Sequence, residues 1–369
     1  MRLRNIDILN FKNIPEARIE FSKGVNCLLG MNGMGKSNLL EAIHFLSFAR
    51  PIFPMPETAL IRHGEDSLLV KGEYDMDAGG EEAIACGIVR GRGKTLKRNG
   101  KEYRRMSEHI GKFPLVTVSP QDSNLVTGNG EERRKLMNMV ISQADGTYLA
   151  QLINYNRALE SRNRMLRAGV KDNILYDSVE SAMEISGHAI HAVRASWVRE
   201  ISPVFAEYYS KIAGEGERAS LRYNSVLNTE TLHEVLQRRR GKDTALGYTS
   251  AGPHRDDLEM SLGTHSMRRL GSQGQIKTFT IALRFAIFDF LKRHKGLTPL
   301  LLLDDIFDKL DAERVARIMR LVSDSDTFGQ IFITDTNRKH LDEIIREING
   351  EHLLLEVSEG HFTVMQESD

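Results

Sequence analysis

The segment Gly30-Met31-Asn32-Gly33-Met34-Gly35-Lys36-Ser37 sets glycines, a lysine and a hydroxyl at the spacing G-x-x-x-x-G-K-[ST]. Small residues let backbone N–H groups turn inward and cradle a β-phosphate. Lys36 can neutralise β- and γ-oxygens, and Ser37 can offer its hydroxyl to Mg2+ at a helix start whose dipole favours anions. The motif needs a buried strand before it and a helix after it. Val25 to Leu29 is nearly all apolar, and Leu39, Leu40, Ile43 and Leu46 recur at helical spacing between Ser37 and Phe48. Lys36 is expected to face solvent in an empty loop, and Met31 and Met34 to pack rather than react.

Leu300-Leu301-Leu302-Leu303-Asp304-Asp305 is an apolar strand ending in two acids. Asp304 can hold Mg2+ through its water shell, and Asp305 can orient or deprotonate an attacking water. Acids after a strand also serve as helix caps. Together with the phosphate loop they point to nucleoside triphosphate hydrolysis, and the long stretch between the two motifs calls for a large insertion. A third cluster, Gly271-Ser272-Gln273-Gly274-Gln275, stands before a helix read from Gln275 to Arg293. The Ser272 hydroxyl, the unobstructed Gly274 N–H and the helix start are fitted to grip a phosphate. One γ-phosphate does not need two cradles in one subunit. Ser272, Gly274 and Gln275 are therefore expected to reach the nucleotide of a second copy, the plain alternative being an ordinary N-cap.

The elements that must carry these groups read as follows. Short strands are expected at Leu3 to Leu9, Ala17 to Phe21 and Val25 to Leu29. Antiparallel strands follow at Leu68 to Tyr74, Glu82 to Arg90 and Thr95 to Asn99, turning at Asn99-Gly100. Leu115 to Val118 is another strand. Between Gly130 and Gly241 the period turns helical, over Arg134 to Ile141, Thr147 to Leu166 and Val170 to Tyr209. Strand and turn signals return at Tyr248 to Leu262. A helix over Asp311 to Leu321, a strand over Gln330 to Thr334 and a closing hairpin end the chain. The pattern implies an α/β fold built from both chain ends, 1–128 and 246–369, with a mainly helical insertion at 129–245.

The chain has 369 residues, with 50 Lys+Arg against 50 Asp+Glu. A zero sum hides local fields. Arg90 to Arg105 includes Arg92, Lys97, Arg98, Arg104 and Arg105, and a second cluster is Arg238-Arg239-Arg240. Arg133-Arg134-Lys135 and Arg157 to Arg167 add to them. One such cluster is usually a solvated face; several in mid-chain raise the case for nucleic acid. Cys27 and Cys86 are the only cysteines, too few for a disulfide framework or a cysteine-based zinc site. No apolar run reaches 18 residues and the N-terminus lacks an apolar leader segment, so cytosolic residence without a membrane partner is expected.

These pieces resemble the ABC-type ATPase heads of the SMC and DNA-repair kind. Ser272 to Gln275 is similar to their signature, Gln121 resembles the Q-loop glutamine, and Asp308-Lys309-Leu310-Asp311 resembles the D-loop. More closely, the chain is similar to the RecF family of bacterial recombination mediators. The likeness is carried by Arg4 to Asn13, Gly30 to Arg50, Ser119 to Asp145, Gly252-Pro253-His254-Arg255-Asp256-Asp257-Leu258, and Ser272 to Ala286. It implies an ABC-type head that binds ATP and Mg2+, with Gln121 joining Ser37 and Asp304 at the metal and Asp305 in hydrolysis. Lys12 and Asn13 would lie beside the nucleotide. It also implies an ATP-dependent homodimer with weak DNA-dependent ATPase activity. Double-stranded DNA and single/double-strand junctions would be its ligands, RecO and RecR its partners, and RecA its beneficiary. Thr334 stands where transporters would have a switch histidine. A transporter subunit would need that histidine and a membrane partner. A small-molecule P-loop kinase would leave the signature-like loop without a role.

Overall fold

The computed structural model describes residues 1–365 apart from 215, 324 and 348–349. In chain order, β1 (Arg2–Phe11), β2 (Ile14–Glu20), β3 (Val25–Leu29), α1 (Lys36–Phe48), β4 (Ser67–Asp75), β5 (Glu81–Val89), β6 (Gly93–Arg98), β7 (Lys101–Glu102) and β8 (Leu115–Val118) come first. Helices α2 (Ser123–Thr127), α3 (Gly130–Ala144), α4 (Gly146–Arg167) and α5 (Asn173–Ala213), then β9 (Ala219–Asn224) and α6 (Leu232–Leu246), follow. Next are β10 (Asp257–Leu262), β11 (His265–Ser266), α7 (Met267–Leu270) and α8 (Gln273–Lys295). The chain closes with β12 (Leu300–Asp304), α9 (Ala312–Val322), α10 (Ser325–Phe328), β13 (Ile331–Asp335), α11 (Arg338–Glu347), β14 (His352–Ser358) and β15 (His361–Val364). Residues 1–122 and 287–369 form one unit and 123–286 another, so α8 begins in the second and ends in the first.

The first unit holds two sheets. The strands with alternating apolar residues form an antiparallel sheet in the order β2-β1-β4-β5-β6-β7. In β1 the alternation breaks between Leu3 and Ile6, both fully buried, because the register against β4 shifts between Leu3 and Asn5. The unbroken apolar runs form the other sheet, β15-β14-β3-β13-β12-β8, parallel apart from the β14–β15 hairpin. Runs such as Leu300 to Leu303 and Ile331 to Ile333 are what a strand covered on both faces requires. Helix α1 touches strands of both sheets, which is why it is buried nearly all round, Leu39, Leu40, Ile43, Phe45 and Leu46 together with the polar Glu41, His44 and Ser47. The buried Gln330 amide joins β1 to the parallel sheet. Its oxygen accepts from Leu3 N–H at 2.7 Å, and its NH2 donates to the carbonyls of Leu3 and Ser22, each at 2.8 Å.

The second unit is wider than the expected insertion at both ends. The reason is β9. Ala219, Leu221 and Tyr223 alternate inward and pair antiparallel with Leu262, Met260 and Leu258 of β10. The insertion cannot end at residue 245 when one of its strands finds its partner beyond it. The long helices carry side-chain caps: Asn129, Asp145 and Asp172 each accept from a first-turn N–H, and Thr231 and Glu234 form a capping box.

Two arginines of the basic clusters, Arg162 and Arg133, are interior here, as is Arg194. Arg162 is fully buried, donating Nε to Glu180 at 2.9 Å and Nη1 to Asp243 at 2.8 Å and Thr249 Oγ1 at 2.9 Å. Arg194 donates to the Tyr148 hydroxyl, the Pro253 carbonyl, Asp256 and Asn138. Arg133 grips both oxygens of Asp257, at 2.7 and 2.9 Å. The string 252–258 is thus the meeting point of the unit's polar core. His254 lies between the Tyr155 hydroxyl (2.8 Å) and the Thr249 carbonyl (3.0 Å), and burial pulls its pKa down to about 4, so it stays neutral at pH 7.

Truncating one member of a buried ion pair leaves its partner charged and unpaired, at a cost of about 3–5 kcal/mol. Arg162→Met is therefore expected to lower the urea midpoint of the second unit well below that of the exposed-site variant Arg164→Met. Trp197, the single tryptophan, is buried on α5 and reports that transition by fluorescence. Equal midpoints for the two variants would show that the Arg162 network does not hold the unit together.

Candidate nucleotide site

The phosphate-loop residues follow β3 and open α1, as the motif requires. Gly35 caps α1 with φ 119°, a conformation that L side chains rarely adopt. A Cβ on Gly30 would stand 2.4 Å from the Val357 carbonyl of β14, so the loop runs too close to the sheet for any other residue. Lys36 departs from expectation. It is buried, 4% exposed, and Nζ donates to the carbonyls of Gly30 (2.6 Å) and Met31 (3.1 Å). The ammonium sits inside its own loop, where it satisfies loop carbonyls and holds a positive charge at the cradle. Met31 is exposed and does not pack.

Ser37, Asp304 and Thr334 meet. The Ser37 hydroxyl donates to Asp304 Oδ1 at 2.9 Å, and the Thr334 hydroxyl donates to the same oxygen at 2.7 Å. The Asp305 N–H in turn donates to Thr334 Oγ1 at 3.1 Å. Asp305 has φ 45°, a sparsely populated conformation for a non-glycine residue, and this hydrogen bond helps to fix it. The threonine at the switch position is therefore a bracket between the two acids, a role its position at the end of β13 could not reveal.

Lys12 and Asn13 flank the loop from the β1–β2 turn. Lys12, with φ 51°, pairs with the buried Glu41 of α1. Asn13 donates to the Gly33 carbonyl at 3.3 Å and accepts from Asn38 at 2.7 Å. Its side chain also lies 3.0 Å from where a Cβ on Gly35 would be. Gln121 is exposed just past the end of β8, next to β12 in the sheet. In the D-loop segment, Lys309 is left-handed (φ 63°), and Asp311 caps α9 by accepting from Arg314 N–H at 2.9 Å. The hard oxygens of Ser37 and Asp304 suit Mg2+, which keeps several waters and needs only one or two protein ligands besides phosphate. With the positive-φ glycines and the internal ammonium, the residues present fit ATP with Mg2+.

In the second unit, Ser272 and Gln275 form a reciprocal cap at the start of α8. Ser272 Oγ accepts from Gln275 N–H at 3.2 Å, and Gln275 Oε1 accepts from Ser272 N–H at 2.9 Å. Gln275 Nε2 also donates to Glu217 at 2.6 Å. Ser272 remains exposed, its hydroxyl proton without an acceptor among the described residues, and Gly274 carries no side chain over its N–H. The N-cap and the phosphate-gripping readings are therefore the same geometry.

The basic candidates divide. Arg92, Lys97, Arg104 and Arg105 are exposed, with no side-chain partner among the described residues. Arg98 is paired with Glu82, Arg238 with Glu230, and Arg240 with Glu180 while its guanidinium lies over the Tyr176 ring at 5.0 Å. Arg239 is half-buried, with Nη1 donating to Ser250 Oγ at 3.4 Å. Three of the eight are thus already matched by carboxylates. Both cysteines are buried, and burial pushes each thiol up to about 12.

A family model described as the RecF/RecN/SMC N terminal domain matches residues 2–350. The DNA replication and repair protein RecF of Parabacteroides distasonis is 47% identical over 367 residues, covering 100% of both chains. The chain belongs to the RecF family. RecF of Bacteroides fragilis is 45% identical over 370 residues, again covering 100% of both chains. Among solved structures, the recombination mediator protein RecF with ATP, of the RecFOR pathway, has a TM-score of 0.88 at 27% identity and 99% coverage of each chain. The Smc head domain of Pyrococcus furiosus, at TM-score 0.60 and 19% identity over 98% of this chain and 95% of that one, shares the fold. The architecture is thus that of the RecF and SMC heads, an ABC-type ATPase fold.

Thr334→Val keeps the shape of a fully buried side chain and removes its hydroxyl. Asp304 loses a donor and the Asp305 N–H loses its acceptor, a cost of about 1–3 kcal/mol. ATP affinity in the variant is expected to stay near that of the parent, and turnover to fall about tenfold or more as Asp305 loses its bracket. Parental turnover in a steady-state phosphate-release assay would rule out the bracket.

Proposed function

We propose that this protein is an ATP-dependent, double-stranded-DNA-binding recombination mediator of DNA repair and replication. The observation that carries the reading is the meeting of Ser37, Asp304 and Thr334 beside the phosphate loop, in a chain 47% identical over its full length to a RecF. In this reading Gly30 to Gly35 present backbone N–H groups to the β-phosphate, and Lys36 turns from its loop carbonyls toward phosphate oxygens. Ser37, Asp304 and Gln121 hold Mg2+, which supplies charge neutralisation at those oxygens. Asp305 holds the attacking water and accepts its proton. Lys12 and Asn13 steady the loop and line the nucleotide. Ser272, Gly274 and Gln275 complete the site of a second copy, so that bound ATP joins two subunits.

Duplex DNA then meets two copies at once, through exposed cations such as Arg92, Lys97, Arg104 and Arg105, with Arg239 as a further candidate. Arg98, Arg238 and Arg240 contribute only by giving up carboxylate partners. Junctions of single- and double-stranded DNA are the expected sites of action, in the cytoplasm. RecO and RecR are the expected partners and RecA loading the expected result. Hydrolysis is slow and stimulated by DNA.

Ser272→Arg leaves the Gly30 loop untouched and puts a long cation at the intersubunit contact. The variant is expected to bind ATP normally, fail to dimerise and bind duplex DNA more weakly, because two joined half-sites act at high effective concentration. Log affinity should fall with log salt at about −0.9 per neutralised phosphate, steeply for the parent dimer and less so for the variant. A salt titration of duplex binding with a non-hydrolysable ATP analogue reads both slopes. Equal affinities and slopes would separate DNA binding from dimerisation and sink the clamp.

A further inference from the structure

Outside the nucleotide site, the second unit contains a cavity of about 330 Å3 whose lining includes Arg134, Asn138, Asn156, Arg194 and Arg255. Its charge is unbalanced. Asp256 accepts from Arg194 and Tyr223, Asp257 is held at both oxygens by Arg133, and Glu131, which also lines the cavity, is paired with Lys135. Each of these carboxylates already has a partner, whereas Arg134 and Arg255 pair with no carboxylate among the described residues. Arg134 donates to the Asp256 carbonyl at 2.7 Å. Arg255 is exposed and lies over the Tyr248 ring at 5.2 Å, with no carboxylate partner among the described residues. Partial burial pulls the Arg134 pKa down, as do the cations Arg194 and Arg255, while Asp257 and Glu131 act the other way.

The neutral lining also donates. Asn138 Oδ1 accepts from Tyr148 (2.7 Å) and Arg194 (2.8 Å), and its NH2 has no acceptor among the described residues. Arg194, 2% exposed, is a built part of the wall. Arg255 also lines a second cavity of about 170 Å3, together with Ser225, Arg239, Ser250 and the already partnered Asp256 and Asp257. Forked guanidiniums with amide and hydroxyl donors match the oxygens of a phosphate group.

We propose that Arg134, Asn138 and Arg255 form a phosphate-binding site in the second unit, separate from the phosphate loop. A free phosphate would fill the larger cavity. The phosphodiester backbone of a nucleic acid strand would set one phosphate between Arg134 and Arg255 and its neighbour between Arg255 and Arg239. The pairing explains why Arg255, unlike Arg133 and Arg194 around it, has no acid to match.

The test uses the full-length protein with a non-hydrolysable ATP analogue present in excess. Inorganic phosphate and, separately, a 5′-hydroxyl oligothymidylate are titrated by calorimetry into the parent and into Arg134→Gln with Arg255→Gln. Loss of two charge-assisted contacts is expected to weaken binding at least about tenfold, with analogue affinity unchanged. Loss for phosphate alone identifies a free anion as the ligand; loss for the oligonucleotide, with or without phosphate, identifies the polymer backbone. A control pair, Arg164→Gln with Arg167→Gln, removes two exposed charges at the end of α4 and should leave both affinities in place. Arg255→Gln alone, at an exposed position, keeps the readout should the double variant melt early, and should show a smaller loss in the same direction. The site is refuted by a parent that binds neither probe, by variants that keep both affinities, or by a control pair that loses as much.

Discussion

One carboxylate oxygen, Asp304 Oδ1, accepts hydrogen bonds from Ser37 and from Thr334. Asp304 and Thr334 are brought together by the register of β12 against β13, and Ser37, the second residue of α1, by the loop that follows β3. β13 lies between β3 and β12 and is parallel to both, so the ends of all three strands open at one edge. Ligands of open parallel sheets bind beyond such strand ends. A one-residue slip of β12 would turn Asp304 to the other face and leave Ser37 without its partner. Four buried leucines fill either face alike, so the register is marked by the polar end of the strand, where Asp304 pairs with Thr334 and accepts its hydroxyl.

Two further contacts brace this sheet. Gln330, just before β13 and at the end of that strand opposite Thr334, ties β1 to it, and Gly360 N–H, in the turn of the β14–β15 hairpin, donates to the Met34 carbonyl at 2.8 Å. The hairpin therefore touches the phosphate loop itself, and a Cβ on Gly360 would come within 2.4 Å of the Asn13 carbonyl. Chain segments from both ends of the sequence thus converge on the loop.

Much of this was legible in the sequence. The phosphate loop, the acids after Leu303, the serine before α8 and the antiparallel strands each rest on local rules, a spacing or a period, and local rules survive folding. What escaped depended on partners distant in the chain. β9 alternates as a strand should, yet its partner lies beyond the boundary expected for the insertion. Arg133 and Arg162 look in sequence like Arg104 and Arg105, because only tertiary structure shows which guanidiniums have found a buried carboxylate. Lys36 is expected in solvent because the motif gives the lysine a phosphate as its partner, and nothing in it says that the ammonium can rest on loop carbonyls. The bracket at Thr334 joins a side chain to a backbone N–H about thirty residues away, and no spacing rule encodes that.

The central claim is that the two chain ends build one ATP site around Lys36. Calorimetric titration of ATP with Mg2+ into the full-length protein and into Lys36→Ala tests it most directly. The account predicts saturable binding by the parent and a loss of at least about tenfold in the variant, which gives up a charged phosphate partner and leaves two loop carbonyls without their donor. Unchanged affinity in a folded Lys36→Ala protein would contradict it.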